Sequence, residues 1–266
     1  MENESLKNLA IKELLLQLAD DDFIHAYRGS EWLGLAPHIE EDVASSSIAQ
    51  DTMGHAVIYY KLLEEIGEGT ADWLAHDRQA HERRNAIILE AANGPGHYMK
   101  DPDYDWAFAV VRNYFYTQAK AIRIQSLQSS SYAPLAEVAQ KVQMELYYHL
   151  MHWKVWFVQL LGSGHKEAVS RMKTAIEKTL PDFAGIFSLG QFGEEMVEQG
   201  LIEGEAAIQK KWIDAVTPIF ESVGVATTFE IGMEKGDGRN GVHTEDLKTA
   251  LDTLSEVYAS DKAASW

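Results

Sequence analysis

The chain has 266 residues, of which 46% are hydrophobic, and it carries a formal net charge of −18 with no cysteine. The hydrophobic fraction predicts a packed globular fold, and the negative charge argues against nucleic acid or an anionic membrane surface as a partner of the whole molecule. The absence of cysteine excludes disulfides, thiolate metal sites, iron–sulfur clusters and cysteine nucleophiles from this chain.

The N-terminal stretch MENESLKNLAIKELL places acidic residues before its apolar run. It lacks the basic beginning of a signal peptide, and none is expected. No apolar run approaches the ~18 residues that a membrane-spanning helix needs. Together with the absence of cysteine, these features lead us to expect a cytoplasmic protein.

Hydrophobic periodicity predicts four long helices, over residues 6–35, 39–66, 104–128 and 135–161. Each has about 25 residues, well above the ~11–12-residue mean of globular proteins. Short breaks at Pro37 and at SSSYAP separate the members of each pair, and a crossover of about 35 residues, with a short helix near Trp73, joins the pairs. Two antiparallel helix pairs joined by one long connection predict an all-α, ferritin-like four-helix bundle.

Further helices are predicted after the bundle, over residues 166–180, 205–223 and 244–260. The last of them follows the segment GDGRNGVHTED, with Thr244 as its N-cap. We therefore expect a single ferritin-like domain over residues 1–266, with a bundle core over about 6–162 and C-terminal helices over about 165–266.

Two acid-x-x-x-His pairs occupy matching helices, the second and the fourth. They are Asp51 with His55 in DTMGH, and Glu145 with His149 in ELYYH, and Asp22 on the first helix stands at a comparable height. A ferritin-like di-iron site instead takes Glu-x-x-His from each of these helices and a carboxylate from each of the other two.

Two departures weaken the metal hypothesis. The positions three before each His hold Thr52 and Leu146, which are poor iron ligands. The third helix has no Asp or Glu from residue 106 to residue 132, and only Tyr116 or Gln118 lies near the expected ligand height. The pattern favours a buried polar network over an iron site, with Asp22, Asp51, His55, Glu145 and His149 as candidates for a vestigial one.

Other chemistry-bearing features have simpler interpretations. Arg83 and Arg84 in HERRN are interpreted as a solvated surface pair, with a phosphate or partner carboxylate as the alternative. GDGRNG does not match a phosphate-binding loop, and His152 is interpreted as a packing or interface residue. An aromatic set is predicted to lie in the core: Tyr114, Phe115, Tyr116, Tyr147, Tyr148, Trp153, Trp156 and Phe157.

Four stretches carry a resemblance to a known family. They are YRGSEWLGLAPHIEEDVASSSIAQDTMGH (27–55), MELYYHLMHWKVWFVQLLGSG (144–164), GRNGVHTEDL (238–247) and the terminal Trp266. They resemble the C-subunit family of the bacterial ring-1,2-phenylacetyl-CoA epoxidases. The likeness covers nearly the whole chain, and R-x-x-EW-x-x-x-AP and G-x-HTE-x-L are its most specific motifs. His55 departs from the family pattern.

The resemblance implies a non-catalytic, ferritin-like structural subunit. Such a subunit is similar in fold to the catalytic A subunit, lacks its iron ligands, and pairs with it as a heterodimer or heterotetramer. The complex also contains a B subunit and a reductase. It uses oxygen and NADPH to epoxidise the ring of phenylacetyl-CoA in aerobic phenylacetate degradation. No cofactor is then expected in this chain, with di-iron in the partner subunit and flavin and iron–sulfur groups in the reductase.

Three hypotheses follow. A structural subunit predicts an exposed apolar or aromatic patch, or a homodimer that hides it. A self-sufficient di-metal oxygenase or ferroxidase would use the five candidate ligands and hold two metals about 3.5–4 Å apart. An acyl-CoA-binding module has no distinctive feature in its support. The carboxylate-free third helix favours the first hypothesis, while the sequence leaves open which helix face meets the partner.

Overall fold

The computed structural model describes residues 2–226 and 228–264, with the side chains of residues 2 and 3 excepted. Trp266, part of the family resemblance, lies outside the described residues. The described chain forms α1 (Glu2–Ser30), α2 (Ile39–Glu65), α3 (Ala71–His76), α4 (Ile87–Glu90), α5 (Trp106–Leu127), α6 (Ala133–Gly162), α7 (Lys166–Thr179), α8 (Gly193–Glu198), α9 (Glu205–Ser222), α10 (Glu245–Leu254) and α11 (Glu256–Ser260). Within it, β-structure is limited to one isolated bridge, between His97 and Asp101.

The predicted fold class is confirmed. The described chain is all-α, and its order of two long helices, a crossover, two more long helices and further C-terminal helices is that of a ferritin-like bundle. The predicted bounds of α2, α5, α6, α7 and α9 hold to within two residues. Among the described helices, none is long and apolar enough to cross a membrane.

The first predicted helix, over residues 6–35, is wrong at its C-terminal end. Regular α-helix stops at Ser30, after Gly29, because both residues are weak helix formers. The next turn tightens into i→i+3 bonds, such as Trp32 N to the Gly29 carbonyl (3.1 Å), and Gly34 then takes a left-handed φ of 79°.

The last predicted helix, over residues 244–260, is divided. α10 and α11 meet at Ser255, whose hydroxyl donates to the His76 carbonyl (2.8 Å). Thr244 is the N-cap of α10, as predicted, but its side chain does not cap the helix. Its hydroxyl instead donates to the Glu90 carboxylate (2.8 Å). The short 3-10 turns between residues 180 and 192 and helix α8 were not predicted.

The chain forms two compact units, and the first contains residues 93–234 together with the start of α1. α5 is its centre, because nearly all of its residues are buried and it packs against α6, α7 and α9. The Phe115 ring lies at the middle of an aromatic cluster, 5.2 Å from Trp212 and 5.7 Å from Phe157. The Trp212 indole N–H donates to the Phe115 carbonyl (3.1 Å), so the polar group of this buried side chain has a hydrogen-bond partner.

The second unit contains residues 11–92 and the chain from Lys235 onward. α1 approaches α2 closely at Gly29, where an added Cβ would lie 3.2 Å from the Ala49 Cβ. The rings of Phe23 and Tyr60 pack edge to face with centroids 5.9 Å apart. α10 packs against α4 and against the 3-10 turn at Ala80–Glu82. The single domain over residues 1–266 stays a prediction.

Candidate functional site

The five candidate metal ligands lie in different environments. In the second unit, Asp22 and His55 are buried and Asp51 is partly exposed; in the first, His149 is buried and Glu145 is exposed. The prediction that Glu145 belongs to a polar network buried inside the bundle is therefore wrong. The reason is that Glu145 lies to one side of the row of α6 residues that faces the core.

The buried faces of α2 and α6 present other residues three positions before each His. Thr52 is buried, and its hydroxyl donates to the Ile48 carbonyl one turn earlier (2.7 Å). Leu146 is buried on α6 in the same row as His149. The positions that a di-iron pattern fills with Glu thus hold a hydroxyl used by the helix backbone and an alkyl side chain.

The third long helix, α5, carries no carboxylate. Its two residues near the expected height of a metal ligand, Tyr116 and Gln118, differ in exposure. Tyr116 is buried and Gln118 is partly exposed. Burial raises the pKa of Tyr114, which lies one turn before Gln118, so its phenol stays protonated in the aromatic core. Across residues 4–226 and 228–264, no three or more His, Asp and Glu side chains form a group that could hold a metal ion.

The predicted aromatic core is partly correct. Tyr114, Phe115, Tyr116, Trp153 and Phe157 are buried. The prediction is wrong for Tyr147 and Tyr148, which are exposed on α6, and Trp156 is partly exposed. His152 is partly exposed with its ring 4.7 Å from Trp153, consistent with packing. The exposed tyrosines belong to an apolar patch on α6, a feature that the structural-subunit hypothesis predicts.

The interpretation of Arg83 and Arg84 as a surface pair is wrong. Arg83 is fully buried and pairs with Asp20 on α1 (3.4 Å). Arg84 donates through its backbone N to the same carboxylate (2.8 Å) and through Nε to Glu13 (2.9 Å). The sequence did not indicate that Arg83 is buried, because the hydrophobic pattern of the crossover is irregular. The acidic partners of the two arginines also lie more than sixty residues earlier in the chain.

Asp20 is the centre of a buried ionic network. Both of its oxygens accept from Arg78, with Nη1 to Oδ2 at 3.1 Å, and Oδ1 also accepts from the Tyr60 hydroxyl at 2.6 Å. Burial alone would raise the pKa of this carboxyl, but Arg78 and Arg83 outweigh burial and lower it from 3.8 to about 2. Burial, followed by the Asp20 charge, raises the pKa of Tyr60. Asp20 is therefore ionised and Tyr60 neutral at pH 7.

We predict a specific loss of stability in acid. The folded pKa of Asp20 lies below its ordinary value of 3.8, so its contribution is complete above that value and is lost as the pH falls from about 4 towards 2. The contribution is on the order of 2 kcal/mol. Urea unfolding at pH values from 6 to 2 is expected to show the free-energy advantage of the wild type over Asp20→Asn shrinking in that window. An advantage that does not change with pH would contradict the assignment.

Two further buried carboxylates tie residues 238–244 to α1 and to the crossover. Asp21 forms a bidentate ion pair with Arg239 (2.9 and 2.8 Å) and accepts a hydrogen bond from the Ala86 backbone N (2.9 Å). Glu90 lies 2.7 Å from His243 Nδ1 and accepts from the Thr244 backbone N at 2.7 Å. Sequence reasoning missed both; the one available signal was the run of three aspartates inside an otherwise apolar stretch of the first helix.

Every oxygen of Asp20, Asp21 and Glu90 has a donor from the protein. Glu90 Oε2 also accepts from Asn85 Nδ2 (2.8 Å). Carboxylates engaged in this way are already occupied by donors of the protein, and guanidinium–carboxylate forks hold fixed geometry. The arrangement is therefore suited to fixing backbone positions rather than to moving protons.

Comparison with known proteins decides the family. Residues 2–266 match the sequence model of the family described as "Phenylacetic acid catabolic protein". The chain belongs to the phenylacetic acid catabolic protein family. It is 27% identical over 255 residues to the C subunit of the 1,2-phenylacetyl-CoA epoxidase of Escherichia coli (strain K12), covering 94% of this chain and 97% of that relative. The resemblance to the C-subunit family, which the sequence motifs indicated, is confirmed.

In this member of the phenylacetic acid catabolic protein family, the two specific motifs meet in the second unit. Arg28 of R-x-x-EW donates to the carbonyls of Glu90 and of Asp246 (both 2.9 Å) and contacts the Glu31 carboxylate (3.1 Å). His243 of G-x-HTE-x-L lies against Glu90. Both motifs therefore have a role in holding backbone segments together.

A cleft of about 600 Å³ lies beside α10 and α11 in the second unit. Its two lysines form ion pairs, Lys248 with Glu245 (3.2 Å) and Lys262 with Asp77. Four carboxylates line the cleft, those of Asp77, Glu245, Asp252 and Glu256, and they would repel the phosphate groups of an acyl-CoA. The cleft therefore gives the acyl-CoA-binding hypothesis no support.

Proposed function

We propose that this family member is a non-catalytic, structural subunit of a 1,2-phenylacetyl-CoA epoxidase. It binds a catalytic A subunit and supports it, as a heterodimer or heterotetramer, within a complex that also contains a B subunit and a reductase. The similarity to the C subunit of such an epoxidase, over nearly the whole of both chains, supports the assignment to this complex.

The observation that carries the non-catalytic role is the chemistry of the buried helix faces. Thr52 and Leu146 occupy the positions where a di-iron subunit would present carboxylates, and α5 offers none. The acid of one acid-x-x-x-His pair, Glu145, is directed to solvent. The residues of this chain therefore do not fit a di-iron group, and we derive no step of the reaction through one.

The cofactors belong to other subunits in this proposal. Di-iron is assigned to the catalytic subunit, while NADPH, flavin and iron–sulfur chemistry is assigned to the reductase. The role of this chain is to present a rigid, pre-folded helical surface, which its ion-paired second unit and aromatic first unit provide. A cytoplasmic location is part of the proposal and rests on the cysteine-free composition.

The direct test is bound iron after reconstitution with ferrous iron. We expect near-zero iron in the isolated chain and about two irons per catalytic subunit in the complex. A double replacement, Glu145→Gln with His149→Asn, is expected to leave the iron content of the complex unchanged. Asp51→Asn with His55→Asn is the matched pair on α2 and is expected to behave in the same way.

One result would establish the alternative, a self-sufficient di-metal oxygenase or ferroxidase. It is two irons bound per isolated chain and lost in both double variants while their helical content is retained. Iron bound by the isolated chain but unaffected by either variant would indicate adventitious binding elsewhere, and would leave the non-catalytic role in place.

A further inference from the structure

One face of α6 is apolar and faces solvent. Met144, Tyr147, Tyr148, Met151 and Val155 are between 47% and 67% exposed. Their spacing of three, one, three and four residues places them on a single helix face. We call this set the α6 outer face. It lies opposite the buried row of α6 that runs from Leu135 to Leu161.

α6 is therefore apolar on two opposite faces, although the isolated chain buries only one. A helix that is apolar all round is typical of a buried helix. The rings of Tyr147 and Tyr148 pack edge to face, 5.3 Å apart at 87°, which restricts their rotamers before any partner binds. Tyr and Met are enriched in the centres of protein interfaces, and charged residues such as Glu145 and Lys154 lie at the edge of this patch.

The size of the patch fits a stable complex. At the exposures above, the five side chains offer roughly 600 Å² of surface, close to the ~800 Å² that each partner contributes to a standard interface. It is also at the upper end of the apolar patches that monomers leave exposed. Three turns of helix, about 17 Å, separate its ends, so a partner helix of ordinary length can cover it.

Charge distinguishes between the two obvious occupants. A second copy of this chain would bring together two molecules that each carry a net charge of −18. That repulsion opposes self-association and favours a partner that is less acidic. We propose that the α6 outer face is the docking surface for the catalytic subunit, which covers it with an apolar helix face. This inference rests on the proposed function.

The test is the affinity of the full chain for the purified catalytic subunit. Tyr147→Gln with Tyr148→Gln keeps helix-forming residues and removes the aromatic anchors, and the Kd is expected to rise at least 30-fold. Met99→Gln with Val257→Gln replaces apolar residues of comparable exposure outside α6, and the Kd is expected to change by less than about threefold. The thermal unfolding midpoint of each isolated variant should stay within about 2 °C of wild type.

The outcomes separate the two proposals. Failure of the wild-type chain to bind the catalytic subunit would overturn the proposed function together with this inference. Normal binding by the tyrosine variant would overturn this inference alone. A wild-type dimer that the tyrosine variant abolishes, with binding of the catalytic subunit unchanged, would assign the face to a second copy and also overturn it.

Discussion

Replacing Asp20 by Asn is expected to lower the free energy of unfolding by roughly 3–5 kcal/mol, because it leaves buried guanidinium groups without their counter-charge. Arg78 and Arg83 both lie against this carboxylate, and their side chains are almost completely buried. The amide of Asn keeps one acceptor oxygen instead of two and carries no charge. Urea unfolding of the isolated chain near pH 7, with linear extrapolation to water, measures the effect.

Asp214→Asn is the matched control. It makes the same chemical change at an exposed ion pair, where Asp214 lies 2.6 Å from Lys210 one turn away on α9. Surface pairs of this kind contribute little, so the change in stability should stay within about 0.5 kcal/mol. Equal losses in the two variants would contradict the view that burial sets the value of the Asp20 network.

Much of the helical framework could be predicted from the sequence, because helix formation is largely local. The row of buried residues on α6 repeats at three- and four-residue intervals, and Pro134 lies in its first turn. The end of α1 was predicted less well. The apolar residues after Ser30 continue the helical spacing, and Trp32 is buried, but it is carried by a tight turn rather than by the helix.

The ionic network could not be predicted, because its partners are distant in sequence. Asp21 and Arg239 are 218 residues apart, and Glu90 and His243 are 153 apart. Periodicity reports which face of a helix is apolar and says nothing about which cation reaches a buried carboxylate. The same limit explains why the buried Arg83 was taken for a surface residue.

The environment of the candidate ligands was predictable only in part. The mismatch at Thr52 and Leu146 was visible in the sequence, because helical spacing is fixed. The exposure of Glu145 and of Tyr148 was not, because α6 is apolar on both faces and composition alone does not distinguish the inner face from the outer one.

The second large effect is expected at Gly238, where the network meets the crossover. An added Cβ would lie 1.9 Å from the Asn85 carbonyl oxygen and 3.0 Å from the His243 ring. Because the nearest atom is backbone, the segment must move, and Arg239 and His243 move with it away from their carboxylates. We expect Gly238→Ala to cost on the order of 3 kcal/mol in the same unfolding experiment.

Gly54→Ala is the matched control, because the same substitution is expected to have the opposite effect there. Gly54 lies in the interior of α2, and a Cβ there would meet nothing within 4 Å. The same substitution should therefore stabilise the isolated chain by about 0.5–1 kcal/mol, since alanine is the better helix former. A neutral Gly238→Ala would mean that residues 238–244 can shift without loss. The contacts of Arg239 with Asp21 and of His243 with Glu90 would then hold that segment only loosely, and Asp20 with its two arginines would contribute more to the stability of the second unit than these contacts do.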